Sequence, residues 1–163
     1  MHTFKSTLIL IRGVSGVGKT TLANSLETDP SSQNDFVIAA DDYFTSPDTG
    51  VYDFRPSLLP AAHRWCLVEA KNHLSFCDKV IVHNTFTCRW EMEPYLKFAG
   101  QNGHEIIVID LFTGYNPTTG TGYTATELHA RCTHGVPLEG IQAQIERYEL
   151  DWRSADPRPV WER

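Results

Sequence analysis

The sequence predicts an α/β domain built on a parallel sheet, and three observations support that prediction. Short apolar runs alternate with segments of helical spacing along the 163 residues, which is the order typical of a parallel sheet flanked by helices. A glycine-rich turn at residues 13–18 directly follows the first run. The length suits one domain, and 41% hydrophobic with 21% charged residues is ordinary for a globular protein.

Composition and charge exclude several classes of protein. The formal net charge is −6 at pH 7, so a long basic surface is not expected, although a local basic pocket stays possible. No apolar run approaches the roughly 18 residues of a membrane span, and the start of the chain shows no signal-peptide pattern. The four cysteines form no C-x-x-C pair, which favours free thiols. We therefore expect a cytoplasmic protein without a membrane partner.

Four apolar runs are predicted to form the strands of the sheet. Each has the length of a buried parallel strand rather than of a helix. The second run ends at Asp41 and Asp42, which predicts two carboxylates at the carboxyl end of that strand. The four runs occupy residues 7–12, 36–40, 79–83 and 104–111.

Helical spacing predicts two helices in the first half of the chain. The first follows the glycine turn and stops before Pro30, because proline cannot continue a helix. Residues 45–55 are polar and turn-rich and predict a loop. Ser57 then caps a second helix. Its apolar positions should face the sheet: Leu59, Ala62, Cys66, Ala70 and Leu74.

The second half of the chain has shorter helical patterns. Residues 90–98 predict a helix whose regular part begins only near Glu93, because Pro94 has no backbone donor. Residues 113–126 are rich in threonine and glycine, and so long a loop is usually functional or mobile. Residues 127–132 predict a short helix, and residues 138–148 a final amphipathic helix.

Residues 13–20 match the pattern G-x-x-x-x-G-K-[ST] at every fixed position. Backbone N–H groups of such a loop surround a phosphate, and the helix that follows adds its positive end. Lys19 then reaches the β- and γ-phosphates, and the Thr20 hydroxyl binds Mg²⁺. The strand before and the helix after the motif supply the required context. The predicted ATP-binding residues are Gly13, Ser15, Gly16, Val17, Gly18, Lys19, Thr20 and Thr21.

Asp41 and Asp42 are predicted to lie beside this loop, since ligands bind at the carboxyl ends of parallel strands. A kinase needs a carboxylate there to orient the acceptor hydroxyl and take its proton. Successive residues of a strand point oppositely, so one aspartate could face the acceptor while the other assists a water on Mg²⁺ or a loop amide. Position alone does not choose between them, and capping of the next turn is the alternative for both.

Cationic residues beyond the fourth strand predict a lid over the phosphates. Arg131 follows the Thr/Gly loop and could stabilise the charge of the transferring group; a solvated helix face is its alternative. Arg147 is interpreted as structural, paired locally with Glu146 or Glu149.

Further candidates for acceptor binding lie at the strand ends. Tyr43 and Phe44 could stack on a base, with simple packing as the alternative, which holds equally for Phe86. Asn84 and Thr85 could bond a phosphate or the acceptor, with turn capping as their alternative.

Several motifs, taken together, resemble the small P-loop kinases related to polynucleotide 5′-hydroxyl kinase. The similarity is greatest to the AAA-type ATPase-like kinase domain of the Nedd4-ligase-binding proteins and spans roughly residues 7–150. Besides the phosphate loop, the motifs lie at residues 41–44, 52–54, 62–65, 84–85, 91–95 and 127–136.

This resemblance implies a P-loop kinase fold with a four-stranded parallel core, a helical lid and Mg-ATP. It implies Asp41 as general base and Arg131 as the lid arginine. Asp42 is a further candidate for acceptor binding. The family acts largely on nucleic-acid hydroxyls, and related phage enzymes phosphorylate 5-hydroxymethyluridine within DNA. We expect one kinase domain over residues 1–150, with the lid at about 113–136 and a tail at 151–163.

The sequence departs from the family pattern at two positions and in one loop. Phage polynucleotide kinases have an arginine where this chain has Phe44, which suits a base better than an acceptor phosphate. His83 stands where an aspartate for Mg²⁺ is expected. The loop at residues 113–126 is longer than expected.

The expected function is ATP-dependent phosphorylation of a nucleic-acid hydroxyl, most simply on DNA: a polynucleotide 5′ end or the hydroxymethyl group of 5-hydroxymethyluridine. A phage-encoded enzyme would work in the host cytoplasm. Two alternatives remain: a small-molecule or nucleoside kinase, and an ATP-binding or ATPase module without kinase activity.

Overall fold

The centre of the computed structural model, which describes residues 5–27 and 34–163, is a sheet of four parallel strands. The strands are β1 (Thr7–Arg12), β2 (Asp35–Ile38), β3 (Lys79–His83) and β4 (Glu105–Asp110). Their order is β2-β3-β1-β4, and every pairing is parallel. The predicted α/β class and parallel sheet are confirmed, and β1, which leads into the glycine loop, is central.

Helices connect the strands and follow the last one. They are α1 (Lys19–Leu26), α2 (Leu59–His73), α3 (Arg89–Gln101), α4 (Ala125–Arg131) and α5 (Leu138–Arg147). Short 3₁₀ helices lie at Ala40–Phe44, Pro56–Leu58 and Val160–Glu162. The predicted stop before Pro30 lies outside the described residues.

Helices cover both faces of the sheet. Successive side chains of β1 point to opposite faces, and each face packs against helices. Leu8 and Leu10 point into a core shared with α2 and α3, whereas Ile9 and Ile11 point into a smaller core with Ala23 of α1. All four are buried. A strand with both faces covered is apolar at every position, which is why β1 is a continuous apolar run.

Two helix predictions need correction. Leu59 is 37% exposed, so it does not face the sheet, while the other four predicted positions are buried; it lies at the first residue of α2, before the helix reaches the core. α3 begins at Arg89 and runs through Pro94. Glu91 accepts a bond from the Cys88 N–H (2.8 Å) and so satisfies a free donor at the helix start, while Pro94 removes only one bond of the ladder.

The second strand also ends earlier than predicted. β2 stops at Ile38, and Asp41 and Asp42 lie on the 3₁₀ helix that follows. The expectation that Asp41 and Asp42 point in opposite directions, which holds for successive residues of a strand, therefore does not apply. The chain turns at this point because the Asp42 carboxylate accepts a hydrogen bond from the Ala39 N–H (2.7 Å).

The C-terminal tail packs on the domain in part. Trp152 packs against the large core, whereas Trp161 is 69% exposed and makes a T-shaped contact with Trp90 (centroids 5.0 Å apart). The four cysteines are free, as predicted. Among the described helices, none is long and apolar enough to cross a membrane.

Candidate active site

The phosphate loop has a backbone that depends on glycine. Gly16 and Gly18 have φ of 85° and 105°, values that side chains disfavour. A Cβ on Gly16 would also overlap the carbonyl oxygen of Leu128 in α4. The start of the loop is tied to the sheet edge, because the Gly13 N–H donates to the Thr85 carbonyl (3.1 Å). The loop thus joins β1 to α1 in the conformation that its motif predicts.

Lys19 lies at the start of α1 and folds back over this loop. Its Nζ donates to the carbonyl oxygens of Gly13 (2.7 Å) and Val14 (3.1 Å). Burial lowers the pKa of Lys19 to about 8, while the nearby carboxylate of Asp41 acts in the opposite direction. This electrostatic interaction joins two residues predicted to be catalytic: Lys19, at the start of α1, and Asp41, on the 3₁₀ helix.

A residue that sequence reasoning missed holds the loop from the other side. Gln144 of α5 accepts a bond from the Ser15 N–H (2.8 Å) and donates to the Ser15 hydroxyl (3.1 Å). The N–H of Ser15, a predicted phosphate contact, is therefore engaged by protein in this structure. The two partners are 129 positions apart, so no local signal could have revealed the contact.

The two aspartates have different environments. Asp42 is engaged by its own turn through Ala39, the capping role that was the alternative for both. Asp41 instead accepts a hydrogen bond from the Tyr52 hydroxyl (3.2 Å), and its charge raises the pKa of Lys19 against the larger effect of burial. Of the two aspartates, Asp41 is thus the one whose charge acts on Lys19.

Two histidines line the same region. Burial lowers the pKa of His83, at the end of β3, and both aspartates raise it by a smaller amount. His134, beyond α4, also acts on His83, and its ring lies 5.6 Å from that of Tyr52. A mainly neutral imidazole thus occupies the place where a carboxylate was expected.

Three candidates for acceptor binding have structural roles instead. Phe44 is 6% exposed and Phe86 is 2% exposed, so neither ring is free to stack on a base. Asn84 is buried, and its side-chain oxygen accepts a bond from the Ala40 N–H (2.8 Å). Asn84 therefore supports the turn that carries Asp41 rather than meeting an acceptor. Tyr43, in contrast, is 40% exposed.

The two arginines beyond β4 that the sequence analysis named have different contacts. The Arg131 guanidinium lies over the ring of Tyr123, 4.3 Å from its centroid, so in this structure it rests on the Thr/Gly loop. Arg147 donates from Nε to the Thr87 hydroxyl (3.0 Å). Its role is structural as predicted, but the bond goes to the loop after β3 instead of a neighbouring glutamate.

A Mg²⁺ ion fits this site only as a companion of the nucleotide. Among the described residues no group of three or more histidine, cysteine, aspartate or glutamate side chains could hold a metal. Mg²⁺ is commonly held by phosphates and waters with few protein ligands, and the exposed Thr20 at the start of α1 suits that arrangement.

The parallel sheet, the glycine loop between β1 and α1, and the helices beyond β4 define a P-loop protein with the kinase fold. The model of the AAA domain family matches residues 8–116, more than half of the chain. This protein belongs to that family.

The chain is similar to known proteins in sequence and in fold, and a human protein is among its curated relatives. The chain is 32% identical over 143 residues to NEDD4-binding protein 2 of Homo sapiens, covering 87% of this chain and 8% of that protein. It thus spans only a small part of its relative's length.

The solved structures are similar in fold alone, with low sequence identity. A chain of the Pnkp1/Rnl/Hen1 RNA repair complex matches with a TM-score of 0.66 at 16% identity, over 98% of this chain and 49% of that one. Mycobacterium tuberculosis APS kinase CysC, solved with AMPPNP and APS, matches with a TM-score of 0.57 at 14% identity, over 96% and 84%.

Proposed function

We propose that this protein is an ATP-dependent kinase that transfers the γ-phosphoryl group to a hydroxyl on a nucleic acid. The observation that carries the proposal is the position of Asp41. The charge of its carboxylate raises the pKa of Lys19, and its Oδ1 is bonded to Tyr52, while Asp42 caps its own turn. A kinase needs one such carboxylate between its nucleotide and its acceptor.

The residues then have distinct roles in one in-line displacement. The loop amides and Lys19 hold the β- and γ-phosphates. Thr20 would hold Mg²⁺, which neutralises phosphate charge. Asp41 orients the acceptor hydroxyl, whose oxygen attacks the γ-phosphorus as the bond to the β-phosphate oxygen breaks and ADP leaves. The hydroxyl proton passes to Asp41, and Arg131 moves from Tyr123 to cover the transferring group.

Three observations favour a nucleic-acid acceptor. The similarity in fold to a chain of an RNA repair complex agrees with the resemblance to polynucleotide kinases. Two partly exposed tyrosine rings lie near Asp41: Tyr43 is two residues after it in the chain, and Tyr52 bonds to it. Aromatic faces of this kind stack on bases. A cavity of about 530 Å³ beside Tyr43 and Arg55 leaves room for a nucleotide. The acceptor is a polynucleotide 5′ end or the hydroxymethyl group of 5-hydroxymethyluridine in DNA.

A small-molecule acceptor is the second candidate. The net charge of −6 opposes binding of a long polyanion, and the fold is also that of APS kinase. If the acceptor is a small molecule, the same catalytic residues act on a nucleoside or another small alcohol.

Transfer of label from γ-labelled ATP distinguishes the acceptors. The panel contains an oligonucleotide with a free 5′ hydroxyl, a 5′-blocked oligonucleotide carrying 5-hydroxymethyluridine, free nucleosides and sugars. We expect label on one of the two oligonucleotides. Label only on free small molecules would establish the second candidate, and label on no acceptor would contradict kinase activity.

Asp41→Asn tests the catalytic assignment. We expect acceptor phosphorylation to fall by at least about 100-fold, as for loss of a general base, with ATP affinity nearly unchanged. Asp151→Asn, in the exposed tail, is the matched control and should behave as the wild type. An Asp41→Asn protein that still phosphorylates its acceptor at the normal rate would remove Asp41 from the mechanism.

A further inference from the structure

Tyr52 is the residue that contacts Asp41, and the backbone around it is fixed. Thr45 and Tyr52 form an antiparallel bridge, and the Ser46 N–H donates to the Val51 carbonyl (2.9 Å). The Asp53 N–H donates to the carbonyl of Phe44 (2.9 Å), at the end of the 3₁₀ helix that carries Asp41. The hairpin at residues 45–52 therefore folds back on that helix and presents Tyr52 to it.

Aromatic contacts hold the ring of Tyr52 on more than one side. The Phe44 ring meets it edge-on at 6.3 Å between centroids, and Phe44 is itself part of the buried core. The ring of His134 lies 5.6 Å away, on the segment between α4 and α5. Tyr52 is thus braced against the core while it touches both Asp41 and the lid region.

The Tyr52 hydrogen bond engages one of the two carboxylate oxygens of Asp41. The Tyr52 hydroxyl donates to Oδ1 (3.2 Å); within residues 5–27 and 34–163, Oδ2 accepts no side-chain or backbone hydrogen bond. Partial burial and the Asp41 charge raise the pKa of Tyr52 to about 12, so the phenol stays protonated and donates at neutral pH. One carboxylate oxygen is then oriented and the other is open to an incoming hydroxyl.

We propose that Tyr52 is a positioning residue for Asp41: it fixes the carboxylate rotamer so that Oδ2 faces the acceptor hydroxyl. This inference rests on the proposed function, because it assigns no role to Tyr52 unless Asp41 receives the acceptor proton. Orientation of a catalytic group contributes to the chemical step rather than to nucleotide binding. Tyr52 therefore acts on kcat.

Tyr52→Phe tests the proposal, since it keeps the ring and removes only the hydroxyl. We expect kcat for acceptor phosphorylation to fall about tenfold, near the lower bound for a hydrogen bond to a charged group, because the site is partly exposed. KM for ATP and the melting temperature should stay at their wild-type values. A purely structural role would instead lower the melting temperature or change both constants together.

Ser154→Ala is the control, because it also removes one exposed hydroxyl but does so in the C-terminal tail; its kcat should be normal. Asp41→Asn, measured in parallel, separates the two claims. If Asp41→Asn abolishes transfer and Tyr52→Phe leaves kcat unchanged, the positioning role is wrong and the kinase assignment stands. If Asp41→Asn retains normal transfer, Asp41 is not the general base and the positioning role of Tyr52 is wrong with it; if the wild type labels no acceptor, the proposed function itself fails.

Discussion

At the residue scale, the lowered pKa of Lys19 links folding stability and phosphate binding to pH. Its pKa falls from 10.5 to about 8 through burial. The folded chain therefore binds this proton less tightly than the unfolded chain does. The group makes folding less favourable below about pH 8, and stability rises with pH between the two values. A phosphate beside Nζ reverses the effect, because an opposite charge favours the protonated amine.

Lys19 should therefore take up a proton on nucleotide binding at pH 8.5 and contribute almost none at pH 6.5, where it is already charged. Isothermal titration calorimetry with ADP, without added metal and in buffers of different ionisation enthalpy, measures this uptake. Lys19→Arg stays charged at both values, so its pH-dependent uptake should disappear. Equal uptake by wild type and Lys19→Arg at pH 8.5 would show that another group titrates.

At the element scale, α4 and α5 pack on the phosphate loop as one layer. Val14 and Val17 of the loop share a core with Leu128 of α4 and Ile141 of α5, and Gly16 lies directly against the α4 backbone. Gln144 adds two hydrogen bonds to Ser15 from the same side. The loop is thus held in its binding conformation by helices that lie more than a hundred residues further along the chain.

Gln144→Ala should raise KM for ATP by up to about thirtyfold, because two neutral hydrogen bonds of about 1 kcal/mol each no longer restrict the loop before phosphate binds. KM for the acceptor should not change. Gln142→Ala, on an exposed position of the same helix, is the control and should match the wild type. Steady-state kinetics checks both variants. Unchanged or tighter ATP binding by Gln144→Ala would mean that Gln144 competes with phosphate instead of supporting the loop.

The elements that local sequence determines could be predicted, and those set by distant contacts could not. The apolar runs predicted all four strands, and the glycine motif predicted the phosphate loop, because burial and backbone strain act on a few consecutive residues. The turn at Ala39 depends on the Asp42 cap and on Asn84 from another strand end, so β2 was predicted too long.

The candidate site divides in the same way. Lys19 and Asp41 follow from a motif and from a strand end. Tyr52 was singled out only as part of a family motif, and its bond to Asp41 depends on how the hairpin folds back. Phe44 appeared suited to stacking because its sequence position is near the site, but the core takes up its ring.

At the scale of the whole molecule, one buried cation joins the parts that form the site. Arg12, fully buried at the end of β1, pairs with Asp110 at the end of β4 (2.7 Å). Its other donors reach the carbonyl oxygens of Phe86, Thr87 and Glu149. Tyr148 lies against the guanidinium and donates its hydroxyl to Asp110 (2.6 Å). The carboxyl edge of the sheet and the end of α5 therefore share one hydrogen-bonded centre.

Arg12→Met should destabilise the fold by about 3–5 kcal/mol, since it leaves a mostly buried carboxylate and three carbonyls without their partner. Urea unfolding measures the loss. Arg55→Met makes the same replacement in the Arg55–Asp53 pair, whose side chains are 64% and 60% exposed, and should cost no more than about 1 kcal/mol. Equal losses of unfolding free energy in the two variants would mean that Arg12 contributes no more than a surface ion pair. Packing between α5 and the phosphate loop would then hold α5 to the carboxyl edge of the sheet without Arg12.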